Sequence, residues 1–72
     1  MRIAWKAITD ADVTRLINNY KLTETELKIL QLRRKGATPI AISLEIHYSE
    51  RQMYALTERL VSKIMQMYQN KG

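Results

Sequence analysis

The sequence predicts an all-α fold of four helices, the last one long, with a helix-turn-helix over residues 22–56. Three helix starts carry the prediction. Thr23-Glu24-Thr25-Glu26 is a capping box ahead of an apolar run: the threonine hydroxyl and the glutamate carboxylate each satisfy a backbone N–H that the helix leaves open. Thr38-Pro39 is an N-cap followed by proline at the first helical position, where no N–H is needed. Ser49-Glu50-Arg51-Gln52 is a second capping box, closed by glutamine. Leu22 is placed to pack on Leu27, and Tyr48 on Met53, as hydrophobic staples. Gly36 stands just before the second start, where a helix end favours a left-handed residue. A short helix, a tight turn and a longer helix form the unit that sets a helix into the major groove of DNA.

The elements follow in order. Residues 1–8 carry no start signal, and Ile3, Trp5 and Ile8 suit a short strand, an extended arm or a helical turn, with Trp5 as a core plug. Thr9 or Asp10 starts the first helix, with Asp12 favourable to its N-terminal dipole. Val13, Leu16, Ile17 and Tyr20 fall on one apolar stripe, and Asn18-Asn19 ends it. The second helix runs from about Glu24 to Arg34 and buries Leu27, Ile29, Leu30 and Leu32. The third is short, about Pro39 to Glu45, and the fourth begins at Glu50 and meets no glycine or proline before Gly72. Its expected length is roughly 18 to 20 residues, well above the usual helix. Residues 1–20 thus form an extension and first helix, and residues 21–72 the helix-turn-helix with its long helix.

Composition narrows the function. Seventy-two residues allow one domain with a small core. Twelve basic against seven acidic side chains give a net charge of +5, which favours polyanions. No cysteine is present, so neither disulfides nor thiolate chemistry is expected. No apolar run suits a membrane span or an export signal, and the cytoplasm is the expected compartment. His47 is the one histidine, too few for the usual metal sites, and it reads as a turn residue. With no nucleophile–base set and no glycine-rich phosphate loop, the chain is not expected to be an enzyme or to hold a cofactor.

Leu22-Thr23, Glu26, Ile29-Leu30, Leu32, Gly36, Thr38, Ile42-Ser43, Ile46, Tyr48-Ser49 and Met53 together resemble the LuxR/GerE-type helix-turn-helix. The same frame is similar to the C-terminal region of sigma factors that reads the promoter −35 element. The resemblance covers residues 22 to about 65. Ala41 stands where the family usually has glutamate, Ser43 where it has alanine, His47 where it often has glycine, and Gln52-Met53 where it often has Thr-Val. It implies a bacterial or phage transcription regulator.

Residue chemistry agrees with that implication. With Met53, Leu56 and Leu60 turned to the core, the last helix presents Glu50, Arg51, Gln52, Tyr54, Ala55, Glu58 and Arg59 outward. Arginine pairs bidentately with guanine, glutamine with adenine, and alanine touches a thymine methyl. Arg51, Gln52, Tyr54, Ala55, Glu58 and Arg59 are therefore the candidate base contacts. Lys28, Arg33, Arg34, Lys35, Thr38, Ser49 and Lys63 are the candidate phosphate contacts, which position without specifying.

Two apolar surfaces point to partners. Ile40 and Leu44 lie about 200° around the short helix from core-facing Ile42 and Ile46. Val13, Leu16 and Ile17, or Trp5, or a partner protein must cover them. On the last helix Leu60, Ile64 and Met67 make one stripe, and Val61, Met65 and Tyr68 another. The chain has little left to bury both, so Leu60, Val61, Ile64, Met65 and Tyr68 are the expected homodimer interface. The reading is a dimeric, sequence-specific reader of double-stranded DNA. The rival readings are a sigma-like module docking on RNA polymerase or another regulator, and a basic helical interaction module that does not bind DNA specifically.

Overall fold

The structure is a computed structural model and describes residues 3–70. The expected N-terminal and C-terminal units start and finish outside that range, at residues 1–2 and 71–72. After a single 3-10 turn, Trp5–Ala7, come α1 (Asp10–Asn19), α2 (Glu24–Arg34), α3 (Pro39–Ile46) and α4 (Glu50–Gln69). The fold is all-helical, as the sequence predicts.

Each α-helix begins where its cap places it. Thr23 Oγ1 accepts from Glu26 N–H at 3.1 Å, and Glu26 Oε1 accepts from Thr23 N–H at 2.9 Å. Ser49 and Gln52 repeat the exchange at 3.2 and 3.1 Å. Thr38 Oγ1 accepts from Ala41 N–H, with Pro39 behind it. The third box, Thr9 with Asp12, was not expected: Asp12 does more than complement the dipole, since its carboxylate accepts from Thr9 N–H at 3.2 Å. That bond turns Asp12 inward and rotates the buried arc of α1 toward it. Val13 and Leu16 stay buried, but Ile17, on the far edge of the arc, is exposed.

The two turns close by left-handed residues. Gly36 has φ +87°, and the N–H groups of Gly36 and Ala37 donate to Arg33 O and Leu32 O, both at 3.0 Å, in a Schellman closure. His47 plays the equivalent part after α3 with φ +61°, and Tyr48 N–H donates back to Ser43 O at 3.2 Å. A Cβ in that region costs energy that glycine does not incur. His47→Gly is therefore expected to stabilise the domain by about 0.5 to 1 kcal/mol, net of the extra freedom of the unfolded chain. Urea denaturation reads it as a higher midpoint at unchanged slope; a lower midpoint would show that the imidazole holds the turn.

One core joins all of these elements. Ile8 and α1 contribute Val13 and Leu16; α2 contributes Ile29 and Leu30; α3 contributes Ile42 and Ile46; α4 contributes Met53, Leu60, Ile64 and Met67. α2 is central, packing against the 3-10 turn, α3 and α4, while α1 rests on α4. Leu27, Leu32, Leu56 and Trp5, expected inside, are only partly buried at the margin. Thr57 takes the inward place beside Leu56, because its hydroxyl donates to Met53 O at 2.8 Å and so needs no water.

The long-helix stripes separate. Leu60, Ile64 and Met67 are fully enclosed within the single chain, so Leu60 and Ile64 are core residues and not the interface residues the sequence suggests. α1 and α2 supply the cover. Val61 and Met65 remain half-buried, and Tyr68 is exposed at the edge. Burial and the nearby Asp12 carboxylate both push the Tyr68 phenol pKa upward.

Candidate nucleic-acid interface

The start of α4 builds the candidate site. The core takes the Met53, Thr57 and Leu60 side of the helix. Helical geometry then sends Arg51, Gln52, Tyr54, Ala55, Glu58 and Arg59 to the opposite half, and all six are exposed. Among the described residues neither Arg51 nor Arg59 is held in an ion pair.

Gln52 is the exception on this face. Its Oε1 accepts from Ser49 N–H at 3.1 Å and from Ser49 Oγ at 3.2 Å. A bidentate adenine contact needs that oxygen, so reading a base would compete with closing the helix start. Ser49 is committed to the same box through its hydroxyl. Gln52 and Ser49 are thus capping residues first. Arg51, one position earlier, is exposed and takes no part in the cap, which leaves it the first candidate for a base contact.

The candidate phosphate contacts divide by what already holds them. Lys28, Lys35 and Thr38 are exposed, and Thr38 keeps its hydroxyl hydrogen free after accepting from Ala41. Arg33 is partly buried with its guanidinium 5.6 Å over the Trp5 ring, a cation–π placement. Arg34 is spent on the fold. Its Nε donates to Ile8 O at 3.0 Å, one terminal nitrogen reaches Gln31 Oε1, and the other pairs with Asp10 at 2.9 Å. Lys63 is spent likewise: its Nζ donates to Glu26 Oε1 at 2.7 Å and to Lys21 O at 3.0 Å. Arg34 and Lys63 therefore belong to the fold and not to a phosphate surface. Glu26 makes Lys63 necessary, because its carboxylate is buried by the capping box and needs a cation within reach.

One group on this side has no signal in the sequence. The α1–α2 loop brings Asn19, Tyr20 and Lys21 beside Arg59, Ser62 and Gln66 of α4, around an open groove of about 550 Å³. Lys21 is exposed and left-handed, φ +51°, which swings its carbonyl to Lys63. The groove extends the polar face of α4 one to two turns past Arg59. Only packing of α1 on α4 creates it.

Compared with family models, curated proteins and solved structures, the chain matches none of them. Among the described residues no helix is long and apolar enough to cross a membrane.

Proposed function

We propose that this chain is a cytoplasmic, sequence-specific double-stranded DNA-binding transcription regulator of the LuxR/GerE-like helix-turn-helix kind, reading the major groove with the first turns of α4. The observation that carries the reading is the division of labour among its cations. Arg34 and Lys63 are consumed by internal partners, whereas Arg51 and Arg59 are in no ion pair among the described residues and share one exposed helix face with Ala55. That face follows a short helix and a three-residue turn, His47 to Ser49, which is the arrangement that delivers a helix to a groove. The net charge of +5 supplies the non-specific attraction.

Selection of bound duplexes from a random pool tests the reading and returns the site. The expected affinity falls with salt. With Arg34 and Lys63 withdrawn, Lys28, Arg33 and Lys35 remain as cationic phosphate candidates, about three per chain, each contributing about −0.9 to the log–log slope. Arg51→Ala is expected to cost about 1 to 3 kcal/mol at one defined base pair and to relax the selected sequence there. Lys35→Ala is expected to weaken all duplexes alike. Absence of any retained duplex at low salt, or an Arg51→Ala effect independent of sequence, would overturn the proposal. The sigma-like reading shares this fold and differs by requiring RNA polymerase for promoter binding.

A further inference from the structure

We infer that the outer surface of α2 and α3 is a self-docking face, where a second copy of this chain binds about a two-fold axis. The two most exposed large apolar side chains of the described residues lie there. Ile40 is 61% exposed and Leu44 71%, one turn apart on the side of α3 opposite the core. Neither α1 nor Trp5, the two internal candidates for covering them, does so. A groove of about 350 Å³ between α2 and α3 is lined by Leu27, Lys28, Gln31, Leu32 and Glu45, the residue that follows Leu44. Its apolar walls are Leu27 and Leu32, which the core leaves half-buried.

The face carries everything needed to bind itself. A two-fold interface requires each patch to hold both halves of every contact, since residue i meets j while j meets i. Leu44 is the projecting half, and the Leu27–Leu32 groove is the receiving half. Lys28 and Glu45 line the same groove with opposite charge, and neither is in an ion pair among the described residues. Rotated about a two-fold axis, Lys28 of one copy faces Glu45 of the other, twice. The charged duplex backbone gains little from Ile40 and Leu44 and repels Glu45, so duplex is a poor occupant. The polar face of α4 is not part of this patch; Lys28, also a candidate phosphate contact, is the one residue the two surfaces share, so pairing is measured without DNA. The inference stands independently of the DNA reading.

Sedimentation equilibrium without DNA, at tens of micromolar and low salt, tests it. The wild-type chain is expected to exceed its 8.5 kDa monomer mass in a concentration-dependent way and to approach twice that value. Leu44→Glu, at an exposed position, is expected to keep the helical circular dichroism spectrum and return the monomer; Ile40→Lys is the second such variant. Lys28→Glu alone, or Glu45→Lys alone, places like charges opposite each other and is expected to weaken association about tenfold. The two together are expected to restore it to within about threefold, as pairing between these positions requires. A wild-type monomer throughout overturns the inference. So does a dimer that survives Leu44→Glu and Ile40→Lys but is lost in Met65→Glu, which would put the interface on the half-buried Val61–Met65 edge of α4. Failure of the double reversal to restore what each single one removes also overturns it.

Discussion

Ile64→Glu is expected to unfold this protein. Ile64 is fully enclosed among Leu60, Met67 and the residues that α1 and α2 set over α4. Truncating such a residue to alanine already costs about 2 to 5 kcal/mol. A buried carboxylate adds the cost of an unpaired charge or of protonating it. A chain of this length has roughly 4 to 10 kcal/mol in total. The variant is therefore expected to lose its helical circular dichroism signal and its cooperative melt at 25 °C. Met65→Glu, one position on and half-buried, is expected to keep both, with a melting point lower by a few degrees. The contrast decides between a core and a surface role for adjacent residues. A folded Ile64→Glu chain that differed from wild type only in self-association would put this stripe back on the surface.

Lys63→Ala is expected to cost about 3 kcal/mol, because it leaves the Glu26 carboxylate buried without its cation. For a domain of this size that lowers the melting point by roughly 12 to 24 °C. Glu26→Gln keeps an acceptor for Thr23 N–H and releases Lys63 to solvent, so its expected cost is smaller, about 1 to 2 kcal/mol. The pair also sets an acid limb. Burial pushes the Glu26 carboxyl upward, but the hydrogen bond from Lys63, those with the Thr23 backbone and hydroxyl, and the lysine charge together hold its pKa below the ordinary 4.5. A carboxyl lowered on folding contributes its full stability above the unfolded value. That contribution is lost as the pH falls through the folded value. Urea midpoints measured from pH 6 down to pH 3 are expected to drop below about pH 4.5 in the wild type, and less steeply in Glu26→Gln. Equal slopes in the two proteins would show that Glu26 is not the group responsible.

These two effects are large for the same reason: α4 is held by α1 and α2 on its inner side, and little redundancy exists in so small a core. The duplex proposal depends on that rigidity. A reading helix positions Arg51 and Arg59 only while its far end is fixed, and Leu60, Lys63 and Ile64 fix it. Variants at these positions therefore confound stability with DNA affinity, whereas Arg51→Ala and Lys35→Ala, both at exposed sites, do not.

Local chemistry made much of the fold legible. Thr23, Thr38 and Ser49 announce helix starts because each cap is satisfied by a neighbour within three residues, so no distant partner is needed to predict it. Gly36 marks its turn because the left-handed backbone is itself a local property. The outward face of α4 follows from helical period once Met53 and Leu60 are assigned to the core. By itself, then, the sequence determined an all-helical order, its boundaries to within a residue or so, and the composition of the candidate reading face.

What it left undecided required contacts between residues far apart in the chain. Arg34 and Lys63 resemble any other surface cations in sequence, and only Ile8 with Asp10, or Glu26 with Lys21, takes them out of the phosphate set. The inner stripe of α4 reads as available for a partner because helical period does not show what covers it; α1 and α2, earlier in the chain, do. Ile40 and Leu44 are the converse, since an apolar pair that the sequence expects to be covered is left in solvent by the way α3 packs. Capping and helical period act over one turn and are written in the order of residues. Burial and charge pairing act through space, and the packing of α1 and α2 on α4 alone decided which cations and which apolar side chains remain free to meet a partner.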